Sequence, residues 1–199
     1  MKKIGIILLA AGASRRMGQA KQLLKINTTQ TLIGHTISVA QAIPDTKLVV
    51  VLGANAAAIQ ENIPKNVSTI LNEDWAKGMG TSLKTGLQFL LQHTPDLNAV
   101  IISVCDQPYL KTAIFEQLIS RYTHTSSPII SADYGKKLGV PALLDRQFFP
   151  KLLNLEADEG ARKIIRSNSS LVETIPFPKG AIDIDTPAAY EAYLKDISH

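Results

Sequence analysis

Leu8-Leu9-Ala10-Ala11-Gly12-Ala13-Ser14-Arg15-Arg16-Met17-Gly18-Gln19-Ala20-Lys21 follows directly on an apolar run that begins at Ile4. The run has the length and β-branched content of a buried strand. The chain then turns small and glycine-bearing, and after that basic. Small residues let a backbone come close to a ligand and open its N–H groups to it. No Asp or Glu precedes Asp45, yet six Lys and Arg lie between Lys2 and Lys25. A strand that empties into an acid-free, cation-rich glycine loop suits a polyphosphate.

Plainer readings compete. The loop is not a Walker P-loop, because Gly12 and Gly18 are too far apart and no Gly-Lys-Ser/Thr follows. The dinucleotide fingerprint G-x-G-x-x-G is also absent. A lone glycine after a strand is most often only a turn. Lys2-Lys3, the apolar run and Ala11-Gly12-Ala13 imitate a secretory signal, but the run is only about eight residues, short for its apolar region. A single cysteine, Cys105, excludes an intrachain disulfide and any cysteine-based zinc site. A reduced, cytoplasmic setting is expected.

With 199 residues, the chain is expected to form one domain with a sizeable core. Its 45% apolar and 19% charged content is that of a globular protein. The formal charge of +4 comes largely from the first 25 residues, which suits an anionic small molecule. No basic run suggests a nucleic-acid arm. The four histidines are scattered. No apolar stretch approaches the roughly 20 residues of a membrane span. Neither nucleic acid nor membrane is expected as a partner.

Periodicity supplies the order of elements. Strands are expected at Ile4–Ala10, Lys47–Gly53, Val67–Leu71, Ala99–Val104 and Pro128–Ala132, apolar without alternation where they are central. Helices are expected at Thr31–Ile43, stopped by Pro44, then from Asn55 to Ile63, at Gly80–Gln92 and at Thr112–Tyr122. Beyond Tyr134 the alternation weakens. A strand at Gly139–Leu144, helices at Gln147–Leu153 and Glu159–Ser167, a strand at Leu171–Ile175 and a closing helix at Pro187–Lys195 complete the pattern. The class is α/β: a three-layer, Rossmann-like, mostly parallel sheet with helices on both faces. Ligands bind such sheets at the carboxyl ends of strands, where the loops at Gly12 and Asp106 both sit.

Asp106 follows a buried strand and precedes Gln107-Pro108, so it reads either as a turn residue or as a magnesium ligand. Cys105 reads as a small buried neighbour. In Asp183-Ile184-Asp185-Thr186-Pro187, Asp185 or Thr186 can cap the closing helix with Pro187 at its first position. Strand alternation would also put Asp183 and Asp185 on one face. In Asn72–Leu83, Trp75 can pack locally while Thr81 or Ser82 caps a helix whose N-terminus favours anions.

Together these blocks resemble the MobA-like nucleotidyltransferases. Leu8–Lys21 is similar to the signature L-A-[AG]-G-x-S-x-R-M-G-x-x-K, and Ala11 resembles the branch of molybdenum cofactor cytidylyltransferases, the MocA type. Cys105–Leu110 resembles C-D-Q-P-x-[LV], Asp183–Pro187 resembles D-[IV]-D-T-P, and Asn72–Leu83 resembles N-x-x-[WY]-x-x-G-[ML]-x-x-S-[LIV]. Asp158–Arg162 resembles G-D-x-G-A-R, with Ala157 in place of the first glycine. Leu138-Gly139-Val140-Pro141 departs from the R-G-H-P usual in the cytidylyltransferases.

The resemblance implies the fold of the nucleotide-diphospho-sugar transferases, with residues 1–110 binding the nucleotide and 111–199 the acceptor. It implies Mg²⁺-dependent transfer of CMP from CTP to a molybdopterin-type phosphorylated acceptor, and a molybdoenzyme or its chaperone as a further partner. Leu9, Ala10, Ala11, Gly12, Ser14, Arg15, Lys21 and Ser82 would bind the nucleotide. Asn72, Gly139, Pro141 and Arg162 would bind the acceptor. Asp106 and Asp185 would hold the metal, and Arg15, Lys21 and Asp106 would carry catalysis. The departure at Leu138 and Val140 leaves two alternatives open: another phosphorylated acceptor such as a sugar phosphate, or a non-catalytic cofactor-handling protein.

Overall fold

The run Ile4–Leu9 has no polar position because both of its faces are covered. The computed structural model describes residues 2–198. In it Ile4–Leu9 is the strand β1, buried along its whole length. Alternation sends Ile7 and Leu9 to one side of the sheet and Ile4, Ile6 and Leu8 to the other. Six further strands complete the sheet: β2 (Thr46–Leu52), β3 (Ser68–Leu71), β4 (Ala99–Val104), β5 (Ile129–Asp133), β6 (Leu138–Asp145) and β7 (Val172–Pro176). Their order is β3-β2-β1-β4-β6-β5-β7.

Parallel pairing puts Leu9 level with Val51 and Val104, so the exits of β1, β2 and β4 share one edge. β6 runs antiparallel to both its neighbours, with Ile102 opposite Ala142. The cause is local. Only Tyr134–Lys137 joins β5 to β6, and a parallel connection needs roughly a dozen residues or more. Gly135 takes φ of 92° in that turn. The reversal brings the start of β6 to the same edge as the exit of β4.

Helices cover both faces. On one lie α3 (Met79–His93), α5 (Phe149–Leu153) and α6 (Ala161–Ser167), with Leu83, Leu87 and Leu90 packed on Ile7, Val51 and Ile102. Gly86 lets α3 lie close, since a Cβ there would fall 2.6 Å from Ile7 Cγ2. On the other face lie α1 (Leu32–Gln41), α2 (Ala56–Gln60) and α4 (Thr112–His124), which bury Ile33, Ile37, Phe115 and Leu118. Thr31 caps α1, its hydroxyl accepting from Gly34 N–H. The closing helix α7 (Pro187–Ile197) packs through Tyr193 onto a small cluster with Met17, Leu24, Ile26, Leu32 and Ile184. That cluster ties the basic loop to the C-terminal segment. The expected strand or helical turn at Gln22–Ile26 is a short 3₁₀ turn at Lys21–Leu23, followed by a single bridge from Lys25 to Thr31.

Candidate active site at the carboxyl edge of the sheet

The glycine loop begins where β1 ends and is stitched down at once. Ala10 N–H donates to the Val51 carbonyl at 2.9 Å, and Ala54 N–H donates to the Ala11 carbonyl at 3.0 Å. Gln22, which sequence reasoning passed over, holds the next turn. It is buried, and its Nε2 donates to the carbonyls of Ala10 and Gly12, each at 2.9 Å. Its Oε1 accepts from the Ser14 hydroxyl at 3.2 Å, and that hydroxyl accepts from Lys21 N–H. The Ser14 side chain thus secures the loop rather than lining a cleft, and its backbone takes a left-handed φ of 53°. Arg15 is exposed.

Lys21 is the centre of the arrangement. Its Nζ lies 2.7 Å from Asp106 Oδ2 and 2.6 Å from Asp185 Oδ1. The lysine expected on phosphates is therefore paired here with the two carboxylates expected to hold a metal. Arg16 Nη2 adds a 2.7 Å contact to Asp185 Oδ2. Main chain joins the acidic segments as well, since Ile184 N–H donates to the Asp106 carbonyl at 2.9 Å. Thr186, not Asp185, caps α7 by accepting from Ala189 N–H, so Asp185 is left for Lys21.

The charges follow from this crowding. Burial would lower the Lys21 ammonium pKa, but Asp106 and Asp185 outweigh it and hold the group well above its ordinary value. Burial would raise Asp185, but Lys21 and Arg16 keep it below the usual carboxylate range. For Asp183 the balance goes the other way: burial and the charges of Asp106 and Asp185 outweigh Lys21 and Arg162 and push it up to about 6. Burial, with Asp106 beside it, pushes the Cys105 thiol up to about 12, so it is no thiolate nucleophile.

Two clefts meet at Asp106. The first, about 290 Å³, has Leu9 to Gly12, Lys21 and Gln22 on one side, Trp75, Met79 and Ser82 on the other, and Cys105 and Asp106 at the base. Gly53 shapes its back wall: a Cβ there would lie 2.6 Å from Trp75 Cβ and 2.8 Å from Ala11 Cβ. The second, about 310 Å³, shares Leu9, Met79, Val104 and Asp106 and adds Val140, Asp158, Arg162 and Asp183. The chain therefore brings together Leu9, Ala10, Ala11, Gly12, Lys21, Ser82 and Asp106 around one cleft, and Arg162 around the next. Asp185 joins them through its pair with Lys21.

Other expected site residues fall elsewhere. Gly139 and Pro141 are buried inside β6 and line neither cleft. Gly139 lies against the Tyr134 ring, where a Cβ would come within 2.7 Å of the hydroxyl. The residue of that segment that lines the second cleft is Val140. Asn72 is buried too, its Nδ2 donating to Thr81 Oγ1 at 2.8 Å and Ser82 Oγ at 2.9 Å. It braces the start of α3 and lines neither cleft. The N-terminus of α3 is partly spent as well, because Gly80 N–H donates to the Ala157 carbonyl at 2.8 Å. That contact seats Asp158 and Arg162 at the second cleft.

A buried amide joins these parts. Gln107 Nε2 donates to the Tyr134 hydroxyl and the Gly180 carbonyl, each at 2.8 Å, and to the Val140 carbonyl at 3.1 Å. Tyr134 in turn donates to the Val140 carbonyl. Arg162 lies beside the Tyr134 hydroxyl and Asp183, and its charge favours the ionised form of both. A Gln after the strand-end aspartate was visible in the sequence; its three partners, 27, 33 and 73 residues further along the chain, were not.

Known proteins share this frame. Nicotine blue oxidoreductase of Paenarthrobacter nicotinovorans is 30% identical over 179 residues, 85% of this chain and 84% of that one. The crystal structure of Rv0371c from Mycobacterium tuberculosis superposes with a TM-score of 0.85 at 27% identity over 98% of both chains. The same protein in complex with manganese gives 0.80 at 25%, over 98% of this chain and 99% of that one. Molybdopterin-guanine dinucleotide biosynthesis protein A of Archaeoglobus fulgidus gives 0.71 at 16% over 98% of both chains, a likeness of fold. The MobA-like NTP transferase domain matches residues 6–173, from β1 into β7. The chain thus belongs to the MobA-like NTP transferase family and is an enzyme of the nucleotidyltransferase class.

Proposed function

We propose that the protein transfers CMP from CTP to the phosphate of a molybdopterin-type acceptor and releases pyrophosphate. The observation that carries this reading is Asp106 at the junction of two clefts, with Lys21 and Asp185 in front of it. The first cleft takes the nucleotide. Its base lies against Leu9 to Ala11, where Ala11 in place of glycine narrows the pocket and favours cytosine. Lys21 and Arg15 hold the β- and γ-phosphates. The acceptor enters the second cleft with its phosphate toward Arg162.

A phosphate oxygen of the acceptor attacks the α-phosphorus in line. The bond from that phosphorus to the oxygen bridging to the β-phosphate breaks, and its electron pair leaves on pyrophosphate. A phosphate monoester is already ionised at neutral pH, so no general base is needed. The chain's work is positioning and charge neutralisation.

The residues present suit a divalent cation, with Mg²⁺ as the expected one. Asp106 Oδ1 is buried without a hydrogen-bond partner, which leaves a carboxylate acceptor free for a cation. Among the described residues no three metal-ligating side chains converge. Mg²⁺ typically takes only one or two carboxylates and completes its shell with phosphate and water. Asp106 and Asp185 would hold the ion, and bound there it would supply charge neutralisation at the reacting phosphates.

Val140 favours a second reading, a different phosphorylated acceptor, because it puts an apolar side chain where the cytidylyltransferases usually have histidine. No described helix is long and apolar enough to cross a membrane, in keeping with a cytoplasmic enzyme that passes its product to a molybdoenzyme or its chaperone. Pyrophosphate release with Mg²⁺ and molybdopterin cofactor, compared across CTP, GTP, ATP and UTP, tests the proposal. Release with CTP alone is expected. Release only with another phosphorylated acceptor would transfer the chemistry to that acceptor. Binding without turnover in every combination would leave a cofactor-handling role.

A further inference from the structure

The cation seated between Asp106 and Asp185 is the ammonium of Lys21, at 2.7 and 2.6 Å. The Lys21 side chain is 12% exposed, so these pairs form largely out of water, where charges are screened far less than at the surface. Asp106 spends Oδ2 on Lys21 while its buried Oδ1 has no partner. A divalent cation on Asp106 Oδ1 would sit across one carboxylate from the Lys21 ammonium on Oδ2. At such separations two positive centres repel strongly, and each would take the acceptor electron density that the other needs.

We propose that Lys21 is a built-in counter-ion that closes the metal site of the free protein, and that a nucleoside triphosphate opens the site by drawing the ammonium away. The inference rests on reading Asp106 and Asp185 as the metal ligands. A triphosphate is the ligand class that can open the site, because its anionic oxygens enter the cleft that Gly12 and Lys21 line together. Lysine is well suited to this exchange, since a compact charge on a flexible four-carbon stem can trade carboxylates for phosphates without moving the backbone. The free protein then holds a metal ion weakly. Metal and nucleotide strengthen each other's binding by the same factor, as linkage requires. Arg16 is the contrast. It also reaches Asp185, but its side chain is 71% exposed and it makes no pair with Asp106.

The test titrates Mn²⁺ into the full chain and reads free Mn²⁺ by electron paramagnetic resonance. Without nucleotide, Lys21→Gln is expected to bind Mn²⁺ at least about tenfold tighter than wild type, and Arg16→Gln within about threefold of it. With α,β-methylene-CTP the wild type is expected to gain about tenfold or more in Mn²⁺ affinity, and Lys21→Gln to gain less. Mn²⁺ binding by folded Lys21→Gln that equals or falls below wild type overturns the proposal. If Lys21→Gln does not fold, Lys21→Met takes its place in the same titration. Adding Asp106→Asn to the Lys21 variant is expected to abolish the gain. A gain that survives it removes the metal-site reading and the counter-ion with it. A Mn²⁺ shift intact in a protein that releases no pyrophosphate leaves the counter-ion standing and removes only the transferase reading.

Discussion

Asp106 and Lys21 divide the labour of the site between a fixed group and a movable one. Asp106 is fixed on both sides: its carbonyl accepts from Ile184 N–H, and the next residue, Gln107, is locked in a buried network. Asp106→Ala should therefore abolish pyrophosphate release while leaving the circular dichroism spectrum unchanged, and wild-type turnover in that variant would sink the metal assignment. Lys21→Ala should cost about 10²-fold or more in kcat, the usual effect of losing one charge-stabilising donor. Asp106 could be picked out from sequence because it ends an apolar strand, which places it at the ligand-binding edge. The partners of Lys21 could not, because they lie 85 and 164 residues away and only the closed sheet brings them within 3 Å. Gln22 and Gln107 were hidden for another reason. A glutamine reads as a solvated polar residue until burial turns its amide onto backbone carbonyls and side-chain hydroxyls.

Among the elements, α3 carries the largest share of support for the site, because its first turn holds Ser82 and its length covers β1 and β2. Leu87 is fully buried in that contact, so Leu87→Ala should lower stability by about 2–5 kcal/mol, the usual cost of a truncated core leucine. Chemical denaturation would show it as a lower midpoint at unchanged slope. A loss below about 1 kcal/mol would mean that the helix relaxes onto the sheet, contrary to the close fit that Gly86 permits. The central strands and their helices were legible because burial on both faces writes a nearly continuous apolar run into β1, β2 and β4. The sense of β6 was less so. Its residues fit a strand of either direction, and the deciding feature is the short Tyr134–Lys137 connection, which only a hairpin can use. That one reversal carries Val140 to the cleft while Gly139 and Pro141 are buried, so the residues of this segment were the ones least readable in advance.

For the molecule as a whole, pH sets the balance between a half-buried histidine and a half-buried carboxylate. His35 on α1 donates from Nε2 to the Leu110 carbonyl at 2.8 Å, which joins that helix to the loop after β4. Burial lowers its pKa below the ordinary value, with the bond to Leu110 opposing. In the unfolded chain His35 takes up a proton near pH 6.5, whereas the folded protein resists until a lower pH. Folding is therefore favoured by His35 above that range, and the contribution is lost as pH falls toward its folded pKa. Asp183 acts with the opposite sign. Its folded pKa of about 6 lies above the unfolded value of 3.8, so its contribution is present at low pH and is lost as pH rises through about 6. The two effects oppose each other between pH 7.5 and 5.5, and the net change in the wild type does not separate them. The difference between wild type and His35→Gln does, since glutamine keeps an amide donor for Leu110 and cannot titrate. The thermal midpoint of the wild type should fall relative to that of His35→Gln over this interval, which calorimetry reads directly. Parallel midpoints in the two proteins would show that His35 charges as readily folded as unfolded, and that the contact between α1 and the Leu110 loop opens to water.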